Sequence, residues 1–203
     1  METNFPHPKK PIFIDKPIAL SIRNLDKLYQ LGSNPNNIFS CSSMSFCPAF
    51  ENLSNFLQDE KVGFIEFTSP KSWDRYAVHL IDPFIKYLRK LYLNDYSIEL
   101  FGGKSSLKET SINCSLQTSN HKDPLIISFI TTGEISGNLG FHAFNKDKEL
   151  IASEFHKKPF LSFKRALEKF LTIYSGSTIG YKFDYCHHKE VVKIIQGPSK
   201  LIR

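Results

Sequence analysis

The sequence predicts an α/β fold, and three stretches carry that prediction. Leu125–Ile130 is an unbroken apolar run of strand length. The Gly-punctuated segment Thr132-Gly-Glu-Ile-Ser-Gly-Asn-Leu-Gly-Phe141 then turns the chain, and Ile135, Leu139, Phe141 and Phe144 return as a second strand. Behind this pair, Phe160 to Tyr174 reads as one amphipathic helix. A strand pair carrying an exposed helix is a scaffold that presents that helix to something.

The elements follow in chain order. Residues 1–17, rich in Pro and Lys, form an extended lead-in. Ile22, Leu25, Leu28 and Tyr29 recur at helical spacing, and Gly32 stops that helix. Ser33–Asn37 is a loop, and Ile38–Phe46 reads as a strand. Pro48 opens a helix with Phe50, Leu53, Phe56 and Leu57 on one side, and Val62–Thr68 is a strand. Residues 18–75 thus form an N-terminal α/β extension, with a boundary at Ser69–Asp74, and residues 76–203 form the main domain.

In that domain Asp82 is placed as an N-cap, with Pro83 in the first helical turn and Ile81, Phe84, Ile85, Leu88, Leu91 and Tyr92 as the buried stripe. Tyr96–Phe101 and Ile112–Gln117 read as strands, with a turn at Gly102-Gly103. After Phe144, Asn145 or Asp147 caps a short helix through Leu150, Ile151 and Phe155, which Lys157-Lys158-Pro159 breaks. Gly176 ends the main helix, and Tyr181–Tyr185 with Val191–Ile195 closes the domain as a strand pair, ending at Gly197-Pro198.

Composition narrows the function classes. A hydrophobic content of 41%, with 18 Phe and 8 Tyr among 203 residues, supports a folded core. No apolar run nears the roughly 20 residues of a membrane span, and no signal-peptide stretch precedes Ile12, which points to the cytoplasm. The net charge of +6 is spread in short doublets such as Lys9-Lys10, without a nucleic-acid motif. Cys41, Cys47, Cys114 and Cys186 fit no common zinc spacing, and Cys186-His187-His188, read on a strand, cannot converge on one ion. No metal and no cofactor is expected.

Projected at 3.6 residues per turn, Phe160, Phe163, Leu167, Phe170, Leu171 and Tyr174 share one arc and are expected to face the sheet. Arg165, Glu168, Lys169 and Thr172 fall on the opposite, outward arc.

Several segments resemble the CheC/CheX/FliY-type chemotaxis phosphatases, in family order. His79-Leu-Ile-Asp-Pro-Phe-Ile85 is similar to that family's opening helix, and Tyr96–Glu109, with Gly103-Lys104 and Leu107-Lys108-Glu109, to the next segment. Ile127–Phe144 resembles its central hairpin, and Tyr181-Lys-Phe-Asp184 with Val192–Gly197 its last strands. The resemblance covers about residues 78–200.

It implies a CheX-like domain with a mainly antiparallel sheet packed by helices, dimeric through a sheet edge, whose partner is the receiver domain of a CheY-like response regulator. The family's outward Glu-x-x-Asn pair orients water toward the receiver's aspartyl phosphate. Alignment on Gly176 puts Lys169 and Thr172 at those two positions, and no Asn follows Asn145, so no catalytic residue remains. A lysine repels the receiver lysine that the Glu would pair with, and a threonine lacks the amide's paired donor and acceptor. The expectation is a pseudophosphatase that binds a receiver or another two-component partner through Arg165, Glu168, Lys169 and Thr172. One alternative is an active phosphatase with Glu168 as its acid and Thr172 holding the water. Another is an interaction protein whose N-terminal extension covers the former active face. Neither nucleic acid nor membrane is an expected partner.

Overall fold

A computed structural model of the protein describes residues 12–31, 38–93, 95–106, 108–175 and 181–201. Its strands are β1 (Ile12–Phe13), β2 (Ile38–Phe39), β3 (Val62–Ser69), β4 (Tyr96–Ser105), β5 (Thr110–Thr118), β6 (Leu125–Thr131), β7 (Gly140–Asn145) and β8 (Leu150–Phe155). Its helices are α1 (Ile22–Leu31), α2 (Pro48–Glu51), α3 (Leu53–Gln58), α4 (Trp73–Tyr76), α5 (Val78–Tyr92), α6 (Pro159–Tyr174), α7 (Tyr185–Ile195) and α8 (Gly197–Leu201), with a 3₁₀ turn at Ser43–Phe46. The architecture is mixed α and β around a six-stranded, mostly antiparallel sheet ordered β4-β5-β6-β3-β7-β8.

The apolar run of β6 and the strand that returns after the glycine segment do not pair with each other. β3 lies between them, parallel to β6 and antiparallel to β7. Its alternation explains the position: Ile65 and Phe67 are fully buried, whereas Phe64, Glu66 and Thr68 on the other face stay half-exposed. A strand from before residue 75 therefore supplies the middle of the sheet. Phe67 sits at the centre of the core, with ring centroids 5.0 Å from Phe129, 5.6 Å from Phe141 and 5.8 Å from Phe84.

α5 covers this face of the sheet and starts four residues ahead of the expected cap. Asp82 lies inside the helix and is buried, because its carboxylate is taken up by partners across the interface with α7 and is not available to cap backbone N–H groups. Gly102-Gly103 is not a turn but a bulge within β4, where Gly102 adopts φ +57. Leu150–Phe155 is a strand, not a helix: Asn145 accepts from the Glu149 backbone at 2.8 Å and donates to its carboxylate at 2.9 Å, closing a β7–β8 hairpin.

Tyr185–Ile195 is one helix rather than strand and link. Asp184 caps it, accepting from His187 N at 2.9 Å. Ile38–Phe46 keeps only two strand residues before the 3₁₀ turn. Gly32 and Gly176, expected helix stops, lie outside the described residues.

α6 has the expected length but is turned about its axis: Phe170 lies inside and Glu168 outside as expected, while most of the apolar arc is displaced. Ser162 and Ala166 are buried, and Phe170 packs 5.5 Å from Phe13 and 5.8 Å from Phe39, over the parallel pair β1–β2. Phe160, Phe163, Leu167 and Leu171, expected inside, face outward. Small side chains let this edge of the helix come close to the Ser43–Phe46 turn. That close approach, not apolar area, sets which arc lies inside.

Candidate functional site

At the end of the sheet where β3 finishes, four segments bring basic and aromatic side chains together. Lys16 comes from the segment after β1, and Lys71 from the turn after β3, where it holds a left-handed φ of 64. The turn is pinned across to the glycine segment: Lys71 N donates to Glu134 O at 2.8 Å and Gly133 N donates to Lys71 O at 3.1 Å. Tyr76 ends α4 and His79 begins α5.

Lys71 Nζ donates to Tyr76 OH at 2.7 Å and lies 4.7 Å from the ring centroid. Lys16 Nζ lies 5.5 Å from the same centroid, and the His79 ring packs edge-on against it at 5.1 Å. Among the described residues neither lysine has a carboxylate partner.

His79 is the buried member of this group. Its Nδ1 lies 2.8 Å from Ser42 Oγ, which already accepts from Met44 N at 3.1 Å. We assign the serine proton to Nδ1, which leaves Nε2–H as the ring's donor. Burial, reinforced by the charge of Lys16, lowers the imidazole pKa to about 3, against a smaller opposing pull from Asp82. So low a value makes His79 a neutral hydrogen-bond donor at physiological pH and a poor general base. His156, whose pKa is lowered by burial, has its Nε2 3.4 Å from Ser162 Oγ on α6.

Beneath the site, Asp82 anchors a buried polar network. It accepts from His187 Nε2 at 2.8 Å, from Ser42 N at 3.0 Å and from the Ser45 hydroxyl. Burial works against its charge, but His187 and these donors hold it below the usual carboxylate range. His187 Nδ1 lies 2.7 Å from Tyr181 OH. His188 Nε2 donates to Ser40 O at 2.8 Å, so its Nδ1 accepts from Tyr29 OH at 2.6 Å, and burial lowers its pKa to about 4. Ser42 belongs to both layers and ties the position of His79 to Asp82.

On the far side of Lys71 a cleft of about 440 Å³ opens, lined by Trp73, Ser105, Ser106, Glu109 and Thr131 among others. Trp73 is fixed there by its indole N–H, which donates to Ile195 O at 2.8 Å. Hydroxyls, the carboxylates of Asp74 and Glu109 and an indole edge suit a hydroxylated ligand in contact with Lys71.

The residues expected to form the binding face lie elsewhere, on α6. Arg165 is half-buried and donates to Phe46 O at 3.3 Å and Glu51 at 2.8 Å, so it ties the helix to the body. Glu168 is exposed and pairs with Lys164 at 3.7 Å. Thr172 Oγ1 donates to Glu168 O at 2.8 Å, which uses its proton within the helix, and Lys169 is half-buried. Cys186 is exposed while His187 and His188 are buried, and among the described residues no group of His, Cys, Asp and Glu could hold a metal ion. No described helix is long and apolar enough to cross a membrane. Lys16, Lys71 and Tyr76 escaped the sequence reading. The usable signal was His79-x-x-Asp82, two titratable residues on one face of an apolar helix.

No protein-family model matches the chain, and no curated protein does. Solved structures do match. GenD2 from gentamicin A biosynthesis, in complex with NAD, has a TM-score of 0.65 at 9% identity, covering 94% of this chain and 69% of that one. UDP-N-acetylglucosamine 3-dehydrogenase GnnA from Acidithiobacillus ferrooxidans gives 0.56 at 10%, covering 94% and 70%. Levoglucosan dehydrogenase in complex with NADH and L-sorbose gives 0.52 at 11%, covering 94% and 70%. Likeness at such identities speaks for the fold alone, and that fold is shared with dehydrogenases. It replaces the chemotaxis-phosphatase resemblance, whose supporting segments fold differently here: the supposed hairpin is split by β3 and the supposed last strands include helix α7.

Proposed function

We propose that this chain is the substrate-side part of a Rossmann-like, sugar-dehydrogenase type of protein, and that it binds an anionic carbohydrate at Lys16, Lys71, Tyr76 and His79. The observation that carries this reading is the convergence of two lysines, neither matched by a carboxylate among the described residues, on one tyrosine ring beside a neutral, buried histidine. An anion offsets the repulsion between the ammonium groups, the tyrosine offers its edge and hydroxyl to a sugar ring, and Nε2–H of His79 donates to a ligand oxygen. The hydroxyl-lined cleft beyond Lys71 receives the rest of the ligand. The carbohydrate names of the GnnA and levoglucosan structures support the ligand class.

The nicotinamide cofactors in two of those structures raise the question of a dinucleotide site, and the residues here do not fit one. No three of the ten glycines have the Gly-x-Gly-x-x-Gly spacing that lets a backbone loop cradle a pyrophosphate. The connection from β1 to α1 contains Asp15, Lys16 and Pro17 but no glycine. These residues therefore account for ligand binding and not for hydride transfer.

Isothermal titration with glucuronate, glucose and NAD⁺ tests the reading. Glucuronate should bind at least about ten-fold tighter than glucose, NAD⁺ should not saturate, and Lys71→Ala should weaken glucuronate by about ten-fold or more, roughly one charged hydrogen bond. Saturable NAD⁺ binding without sugar binding, or an unchanged affinity in Lys71→Ala, would overturn it.

A further inference from the structure

The outward arc of α6 carries Phe160, Phe163, Leu167 and Leu171, which are 78%, 50%, 37% and 59% exposed. Spacings of three, four and four residues place them on one apolar stripe. The other side of the same helix is anchored through Ala166, Phe170 and Arg165, so the stripe is rigidly presented.

We propose that this stripe is a self-association surface, on which a second copy of the chain packs its own α6 antiparallel, about a two-fold axis at Leu167. The pattern is self-complementary. Such an axis maps position 167 onto itself and 163 onto 171, so leucine meets leucine and Phe163 of each copy meets the other copy's Leu171. Charge selects the antiparallel sense. Lys157, Lys158 and Lys164 are exposed at the start of the helix, while Glu168 is exposed in its second half. Antiparallel packing brings Lys164 within one turn of the second copy's Glu168, and the basic end to the carbonyl end of its neighbour. Parallel packing would set the lysines side by side.

Area sets the strength. The four side chains expose on the order of 400 Å² per copy, about half of what one partner contributes to a standard stable interface. The dimer is accordingly a weak one, with a dissociation constant of about 10–100 μM.

Sedimentation equilibrium of the full chain should show a monomer–dimer exchange in that range. Leu167→Lys should weaken it at least about ten-fold, and its exposed position leaves the fold intact, which circular dichroism melting verifies. In a Cys186→Ser background, Leu167→Cys should cross-link to itself under mild oxidation. Phe160→Cys should not, because its two copies lie about 20 Å apart along an antiparallel pair. A chain that stays monomeric at about 500 μM, five times the weakest expected constant, would refute the proposal. So would a dimer indifferent to Leu167→Lys, or equal cross-linking at positions 160 and 167.

Discussion

The interface between α5 and α7 and the outer face of α6 reverse the usual placement of side chains. The first, together with the Ser40–Ser45 segment packed on it, buries Asp82, His79, His187 and His188; the second exposes Phe160, Phe163 and Leu171. What separates them is partnership. Among the described residues every buried side-chain polar atom has a hydrogen-bond partner, so the α5–α7 groups are inside because each is matched. The α6 residues are outside because the close-packing side of that helix is the one with serine and alanine. Burial here follows what each helix is set against, not its count of apolar residues.

The strongest way to break the comparison is to remove a match on one side and apolar area on the other. Asp82→Ala leaves His187, Ser45 and the Ser42 N–H without their acceptor. It should cost about 3–5 kcal/mol, or roughly 6–20 °C in Tm for a chain of this size. Phe163→Ala, a far larger loss of apolar surface, should cost less than about 0.5 kcal/mol when melted below the dimer's dissociation constant. Urea titrations of both variants decide the matter. Comparable losses would mean that Phe163 is packed against the body after all.

Acidification probes the same interface more gently. In the unfolded chain His79 and His188 titrate near about 6.5. Folded, burial first of all holds them to about 3 and about 4. Between those values the unfolded chain binds protons that the folded chain refuses. Stability from the two rings is therefore complete above pH about 6.5 and is lost as pH falls toward 4, at about 2–3 kcal/mol per pH unit. The lowered pKa of Asp82 adds to the loss only below its unfolded value near 4. Denaturant midpoints from pH 7 to 4.5 should show this slope, and His188→Gln should roughly halve it. A half-slope in the unmodified chain would show that one of the buried rings takes up its proton without penalty, and a flat profile that both do.

These two regions also mark what was legible in the sequence. β3, β5, β6, α1 and the mixed α/β class follow from local periodicity, because their faces are set by short-range alternation against a single core. The failures are long-range. Asp82-Pro83 carries a real cap signal, but the carboxylate is claimed by His187, 105 residues away. Leu150–Phe155 reads as a helix until Asn145 closes the hairpin, and α6 has the right length but keeps Phe170 of its expected arc in the core, with Phe160, Phe163, Leu167 and Leu171 turned outward. The candidate site was least visible of all. Lys16, Lys71 and Tyr76 belong to no local pattern, and only the junction of β3, α4 and α5 with the segment after β1 brings them together.

Lys71 gives the finest test, because it is exposed like the α6 stripe and held in place like the α5–α7 network. A side chain at φ 64 costs about 1 kcal/mol that glycine would not, partly offset by glycine's greater freedom in the unfolded chain. Lys71→Gly also gives up an exposed bond to Tyr76, which contributes little to stability. The net expectation is a gain of about 0.5 kcal/mol, or 1–2 °C in Tm, together with loss of glucuronate binding. A variant that binds more weakly while melting higher would show that the lysine is kept in a strained turn for its ligand. A lower melting temperature would mean that the turn needs the lysine for folding, and the case for a binding role would lose its energetic support.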